Sequence, residues 1–214
     1  MKNNNSLGKP YYSQRNNVLK PEGACNVTAM VSALSAAGWP VEKFSDEKYT
    51  QPEDALMHFI LADPIIDREW HRIDPPSRYA PNEWHHLLAM GTNMLLRRCK
   101  LLAPYETAVV FGENRRLADF TAALDAGGAA VASGLFIAQN GRVLGHVVSV
   151  VGYKKDVGGK LASFIIDDPW GDYRTKYANT NGDDIEMPIA DFMQIMKPCN
   201  ADHKFGHIVA AYTA

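Results

Sequence analysis

Cysteine is scarce: Cys25, Cys99 and Cys199 are the only three among 214 residues, odd in number and far apart. That excludes a disulfide framework and a zinc site with paired-ligand spacing. It also turns attention to what a single thiol could do. An excess of either charge is missing too, since 22 basic residues face 24 acidic ones, for a net charge of −2 and a pI near 6.4. A chain so balanced has no general pull toward phosphate backbones or anionic membranes, and no nucleic-acid partner is expected. No stretch approaches eighteen uninterrupted apolar residues, and the opening "MKNNNSLGKP" is polar where a secretory signal needs an apolar run. No stable membrane insertion is expected. Synthesis in a cytoplasm is, with release to the periplasm or cell wall left open.

What the chain does have is a 46% apolar composition, enough to bury a substantial core over a length that suits one domain with a large insertion. Residues 1–10 read as a flexible tail, because three asparagines, a serine and a glycine give no periodicity and little to bury. From Cys25, residues Val27, Met30, Val31 and Leu34 recur at helical spacing, and Gly38 followed by Pro40 ends the run. Two more helices are predicted in "PEDALMHFILA" and "PNEWHHLLAMGTNMLLRRC", separated by the turn "IDPPSRYAP".

The second half changes character. After a helix in "LADFTAALDAG" come strands in "AAVASGLFIA", "GHVVSVVGY" and "LASFIIDDP", joined by the turns "QNG" and "DVGG". A turn in "TNGDD", a helix in "PIADFMQIM" and a strand in "HIVAAYT" follow. Helices first and neighbouring strands later predict an α+β fold, a helical N-terminal lobe against a C-terminal antiparallel sheet, with a cleft between them.

Three residues in this layout suit nucleophilic catalysis. Cys25 opens a helix, where unpaired N–H groups and the helix dipole favour a thiolate. His146 stands at the mouth of an apolar strand. If "GHVVSVVGY" and "LASFIIDDP" pair as a hairpin, the Asp167–Asp168 pair lies beside His146, and side-chain alternation lets one aspartate face it. Taken singly, Cys25 reads as a small core residue, His146 as a hydrogen-bonded strand end and the aspartates as a turn. Together they satisfy the logic of a nucleophile, a base and an orienting carboxylate. Gln14 supplies a side-chain amide that could donate to a developing oxyanion.

The runs "YYSQRNN", "GACNVTAMVSALSAAG", "LDAGGAAVASGLF", "GHVVSVVGY" and "IIDDPWG", in that order, resemble the C39-like branch of the papain-like cysteine peptidases. The likeness spans the chain from Tyr11 onward, except a helical insertion at about residues 41–104. It implies a papain-like fold and assigns Cys25 as nucleophile, His146 as base, Asp168 as the group orienting the histidine, and Gln14 as part of the oxyanion hole. Asp168 is preferred to Asp167 because the family pattern sets the carboxylate immediately before the proline. One departure is the gap "RNNVLKPEGA" between Gln14 and Cys25, longer than in the bacteriocin-leader peptidases of the same clan.

The activity implied is a cysteine peptidase or amidase acting through a thioester, with no cofactor and no metal. Stand-alone C39-like proteins of this size resemble cell-wall hydrolases, so a peptide or peptidoglycan substrate is expected, cut by an endopeptidase or lysin. A protein-directed acyltransferase or deamidase and a non-catalytic binding module are the alternatives. Trp84 and His85 in the insertion, with Trp170, are the candidate substrate-binding residues. His85 and His86, being adjacent, point about 100° apart on a helix and suit no shared metal. "NTNGDDIE" echoes a calcium loop but lacks the ligand spacing, so it reads as a turn. Cys99 and Cys199 default to structural roles.

Overall fold

The computed structural model describes residues 2–73 and 81–213, so the turn expected in "IDPPSRYAP" lies outside the described residues except at its two ends. In chain order the elements are β1 (Lys2–Asn4), α1 (Cys25–Ala36), α2 (Pro52–Ala62), α3 (Pro64–Ile73), α4 (Pro81–Arg98), β2 (Val109–Arg115), α5 (Leu117–Asp125), β3 (Ala129–Ile137), β4 (Val143–Lys155), β5 (Leu161–Asp167), β6 (Ile185–Pro188), α6 (Ile189–Ile195) and β7 (Lys204–Val209). The strands form one antiparallel sheet in the order β2-β7-β3-β4-β5-β6, with β1 added beside the far end of β4.

Strand alternation sorts the sheet into two packed faces. Val131, Val147, Val151 and Ile165 face the layer built by α1, α2 and α4, while Ala132, Val148, Val150, Phe164 and Ile166 face α5 and α6. On that second side Phe120, Phe164 and Phe192 meet tilted or edge to face, with ring centroids 4.7–5.9 Å apart. The result is a mixed α+β architecture with a helical layer, drawn from the N-terminal half, laid against an antiparallel sheet.

Four local readings of the sequence change. The N-terminal residues do not hang free: Lys2–Asn4 pair with β4, and the asparagine side chains carry the contact. Asn3 and Asn5 donate to Leu124 O, and Asn5 also to Gly128 O, which satisfies carbonyls at the end of α5. Gly152 makes the pairing possible, because a Cβ there would come within 2.3 Å of Asn3 O. Helix α3 follows α2 after a break at Asp63–Pro64, where the sequence reading had no helix. Strands β2 and β6 were also unread, the first because its polar end "GENR" breaks the apolar pattern, the second because "IEMP" is four residues long.

The last strand begins three residues earlier than "HIVAAYT" suggests, because it starts on a lysine. Lys204 is fully buried, and its ammonium donates to Met193 O, Met196 O and Pro198 O at 2.8–3.1 Å. It thereby ties down the turn after α6. Lys204→Met would remove the ammonium donor shared by Met193 O, Met196 O and Pro198 O, and it is expected to destabilise the fold by about 2–3 kcal/mol. Urea unfolding of the two proteins measures the difference.

Candidate active site

The strand ladder explains why His146 is reachable. β5 ends at Asp167, which lies opposite Ser149, so nothing in β5 covers β4 at His146. Asp168 begins the turn that crosses in front of it. The His146 Nε2–H donates to Asp168 Oδ1 at 2.6 Å, and Trp170 N–H donates to the same oxygen at 2.9 Å. The turn itself is braced: Asp168 N–H donates to Gly182 O, and the Tyr11 hydroxyl donates to Asp168 O at 2.6 Å. Gly182 is required there, since a Cβ would fall 2.0 Å from Asp168 O.

Cys25 is the first residue of α1, a helix with no side-chain cap because Ala24 holds the cap position. Apolar alanine is a poor cap, and its presence leaves first-turn N–H groups with no side-chain acceptor. The Cys25 thiol and the His146 ring line the same groove. With Nε2 committed to Asp168, Nδ1 is the ring nitrogen left for the sulfur. Burial alone would lower the His146 pKa, but the Asp168 charge and hydrogen bond, with a further contribution from Cys25, outweigh it and hold the pKa at about 10. The charge of Asp168 thus favours the imidazolium form of His146 beside the Cys25 sulfur.

Cys25 and His146 line an open groove of about 330 Å³ together with Trp84, His85, Gly134 and Lys197. Trp84 and His85 of α4 are thus brought to the same groove as Cys25 and His146. His85 stacks on Phe111 at 5.0 Å, and His207 Nε2–H donates to His85 O at 2.9 Å. Burial pushes the His85 pKa down to about 4, with Lys197 and His86 adding to the effect, and pushes His207 down to about 3. Burial thus favours the neutral form of these two rings, where Asp168 favours the charged form of His146.

The remaining sequence candidates sit outside the groove lining. Gln14 is buried, and its Nε2 donates to Pro21 O at 2.6 Å while its backbone N–H donates to Pro169 O at 3.0 Å. It bridges the segment that leads to Cys25 and the turn that follows Asp168. Trp170 lies under the Arg15 guanidinium, 4.0 Å from the ring centre, and reaches the site through its backbone N–H instead of its indole. Asp167 points away from His146: its Oδ1 accepts from Asp184 N–H, and its carboxylate lies with those of Asp183 and Asp184 within 4.8 Å. In "NTNGDD", Asn179 and Asn181 accept from the N–H groups two residues on, as turn asparagines do.

Tyr177 escaped the sequence reading. Its hydroxyl is buried without a hydrogen-bond partner and faces Asp168, whose Oδ2 is likewise buried and unpaired. Its ring lies edge-on to His146 at 6.0 Å, on a backbone held at φ 69°, an uncommon conformation for an aromatic residue. The only trace in the sequence is a tyrosine in a polar turn. Tyr177→Phe is expected to lower kcat/KM about 3–10-fold with little change in melting temperature, since the hydroxyl has no partner to lose in the resting protein. Steady-state kinetics beside a thermal melt checks both.

An antiparallel sheet facing a helix that starts on a cysteine, with a histidine and carboxylate paired across from it, defines the papain-like class of fold and site. A model of the Peptidase_C39 like family matches residues 6–189, and the chain belongs to that family. Its general character is therefore that of a cysteine peptidase. The match includes the helical segment from Val41 to Pro104 that the motif resemblance had left unassigned. A comparison with curated proteins returned no match. Among the described residues no helix is long and apolar enough to cross a membrane.

Proposed function

We propose that the protein hydrolyses amide bonds of peptides through a thioester on Cys25. The observation that carries the reading is the His146–Asp168 hydrogen bond of 2.6 Å in the groove that also holds the Cys25 thiol at an uncapped helix start. The Cys25 sulfur attacks the substrate carbonyl as the thiolate, its proton having passed to His146, and the His146 imidazolium then gives that proton to the departing amine. Water then attacks the thioester with His146 as base, which returns the free thiol. Asp168 keeps the ring oriented and its charge compensated. The Cys25 N–H and the second Gln14 amide hydrogen are the proposed oxyanion donors, each worth about 3–4 kcal/mol of barrier.

The first substrate proposed is the peptide portion of peptidoglycan, cut by an endopeptidase or lysin that reaches the wall after release from the cell. A second reading, a peptidase acting on ordinary polypeptide, is favoured by the apolar wall that Trp84 gives the groove. Incubating wild type and Cys25→Ala with purified peptidoglycan and, separately, with an unfolded protein tests both by mass spectrometry. Fragments released from one substrate by wild type alone support that reading. Intact substrates with a Cys25 no more readily alkylated than Cys99 would sink the hydrolase.

A further inference from the structure

Behind Trp84 lies a second cavity. It measures about 380 Å³ and is walled by Ile60 and Leu61 of α2, Ile66 and Trp70 of α3, and Leu87 and Leu88 of α4. Trp84, Leu87 and Leu88 stand three and four residues apart, so one face of α4 supplies a wall. Trp70 meets Trp84 edge to face at 6.5 Å. Leu61 and Trp70 of its wall are 53% and 38% exposed, a concentration of apolar surface that a folded chain leaves open where something binds.

Two features join this cavity to the groove. Trp84 lines both, so the two spaces share one wall residue. The segment from Lys20 to Cys25 runs between them as well, with Lys20 on the cavity and Gly23 and Cys25 on the groove. An extended peptide advances about 3.3 Å per residue. A chain with its scissile carbonyl at Cys25 that follows the groove passes Trp84, which lines it.

We propose that the cavity is a specificity pocket that takes a large apolar or aromatic side chain of the peptide substrate, one or two residues from the bond cut. The inference rests on the peptidase reading above and adds the residue class that is selected. Lys20 and Asp67 at the cavity edge and the aliphatic floor leave little for a small or doubly charged side chain to gain. The small and acidic residues of peptidoglycan peptides would leave the pocket empty, so the proposal sides with linear polypeptide as substrate.

The test is cleavage-site profiling. A mixture of peptides of known sequence is digested by wild type, Trp70→Ala and Leu61→Lys, and the residues flanking every cut are read by mass spectrometry. Both positions are partly exposed, which protects the fold, and iodoacetamide labelling of Cys25 confirms that each protein keeps its reactive thiol. Bulky apolar residues should be enriched about 10–100-fold at one position within two residues of the cut. Trp70→Ala should reduce the enrichment, and Leu61→Lys should shift it toward acidic residues. Cleavage without such enrichment, or enrichment unchanged in both variants, overturns the pocket and leaves the peptidase standing. Absence of cleavage with Cys25 still labelled overturns the peptidase reading and the pocket with it. If instead wild type sediments as a dimer that Leu61→Lys dissolves while the cleavage profile stays the same, the cavity belongs to a second copy of the chain.

Discussion

Replacing His146 by alanine is expected to lower kcat/KM on an amide substrate on the order of 10⁴-fold, because two steps lose their proton carrier at once. Attack loses the cation beside the sulfur, and breakdown loses the acid that protonates the amine. Alkylation of Cys25 at mildly acidic pH should slow in parallel, while that of Cys199, an exposed thiol outside the groove lining, should not change. Asp168→Asn separates charge from geometry. An asparagine oxygen can still accept from His146 Nε2 and Trp170 N–H, but the charge that counters burial is gone. The alkaline limb of the pH–rate profile, which loss of the imidazolium proton should set in the wild type well above the usual histidine range, should move down toward neutrality. A limb that stays in place would show that Asp168 does not govern the proton on His146.

The neighbouring aspartate should respond in the opposite way. Burial, reinforced by the charges of Asp183 and Asp184, raises the Asp167 pKa from 3.8 to about 7. Below about pH 4 the folded and unfolded chains both hold this proton, and the site costs no ionisation energy. As the pH climbs toward 7 the unfolded chain releases a proton that the folded chain retains, so stability falls with pH across that window and the loss is complete above it. That difference between the folded and unfolded chains corresponds to roughly 4 kcal/mol. Asp167→Asn keeps an acceptor for Asp184 N–H and offers a donor to the two nearby carboxylates. It should raise stability by about 2–4 kcal/mol at pH 8 and by nothing near pH 4. Urea unfolding at the two pH values decides the matter, and equal effects at both would mean that Asp167 is not the group titrating.

How much of this could be read in advance depended on how local the cause was. The helix from Cys25 follows from apolar residues at helical spacing and a glycine stop, and the β4–β5 hairpin from two apolar runs about a turn. Those are period and turn signals carried by ten or fifteen neighbouring residues. β1 was illegible because nothing in "KNN" demands a strand; its partners are the backbone of β4 and the end of α5, more than a hundred residues away. Lys204 hid the start of β7 for a similar reason, since a lysine reads as surface until three carbonyls of another segment surround it. Alternation required that one of Asp167 and Asp168 turn away from His146. It did not say which, because that depends on where β5 stops against β4.

By itself, then, the sequence determined the chemistry on offer: a thiol at a helix start, a histidine at a strand mouth, two carboxylates at a strand end, and an apolar content sufficient to bury them. Each is a property of residue type and short-range spacing. Tertiary structure decided the selection among them. It gave Asp168 to His146 and Asp167 to an acidic cluster, placed the Tyr177 hydroxyl behind the pair, and set Trp84 between the groove and a second cavity. Those outcomes rest on hydrogen bonds of fixed length and on burial, which exist only when segments far apart in the chain are brought within a few ångströms of one another.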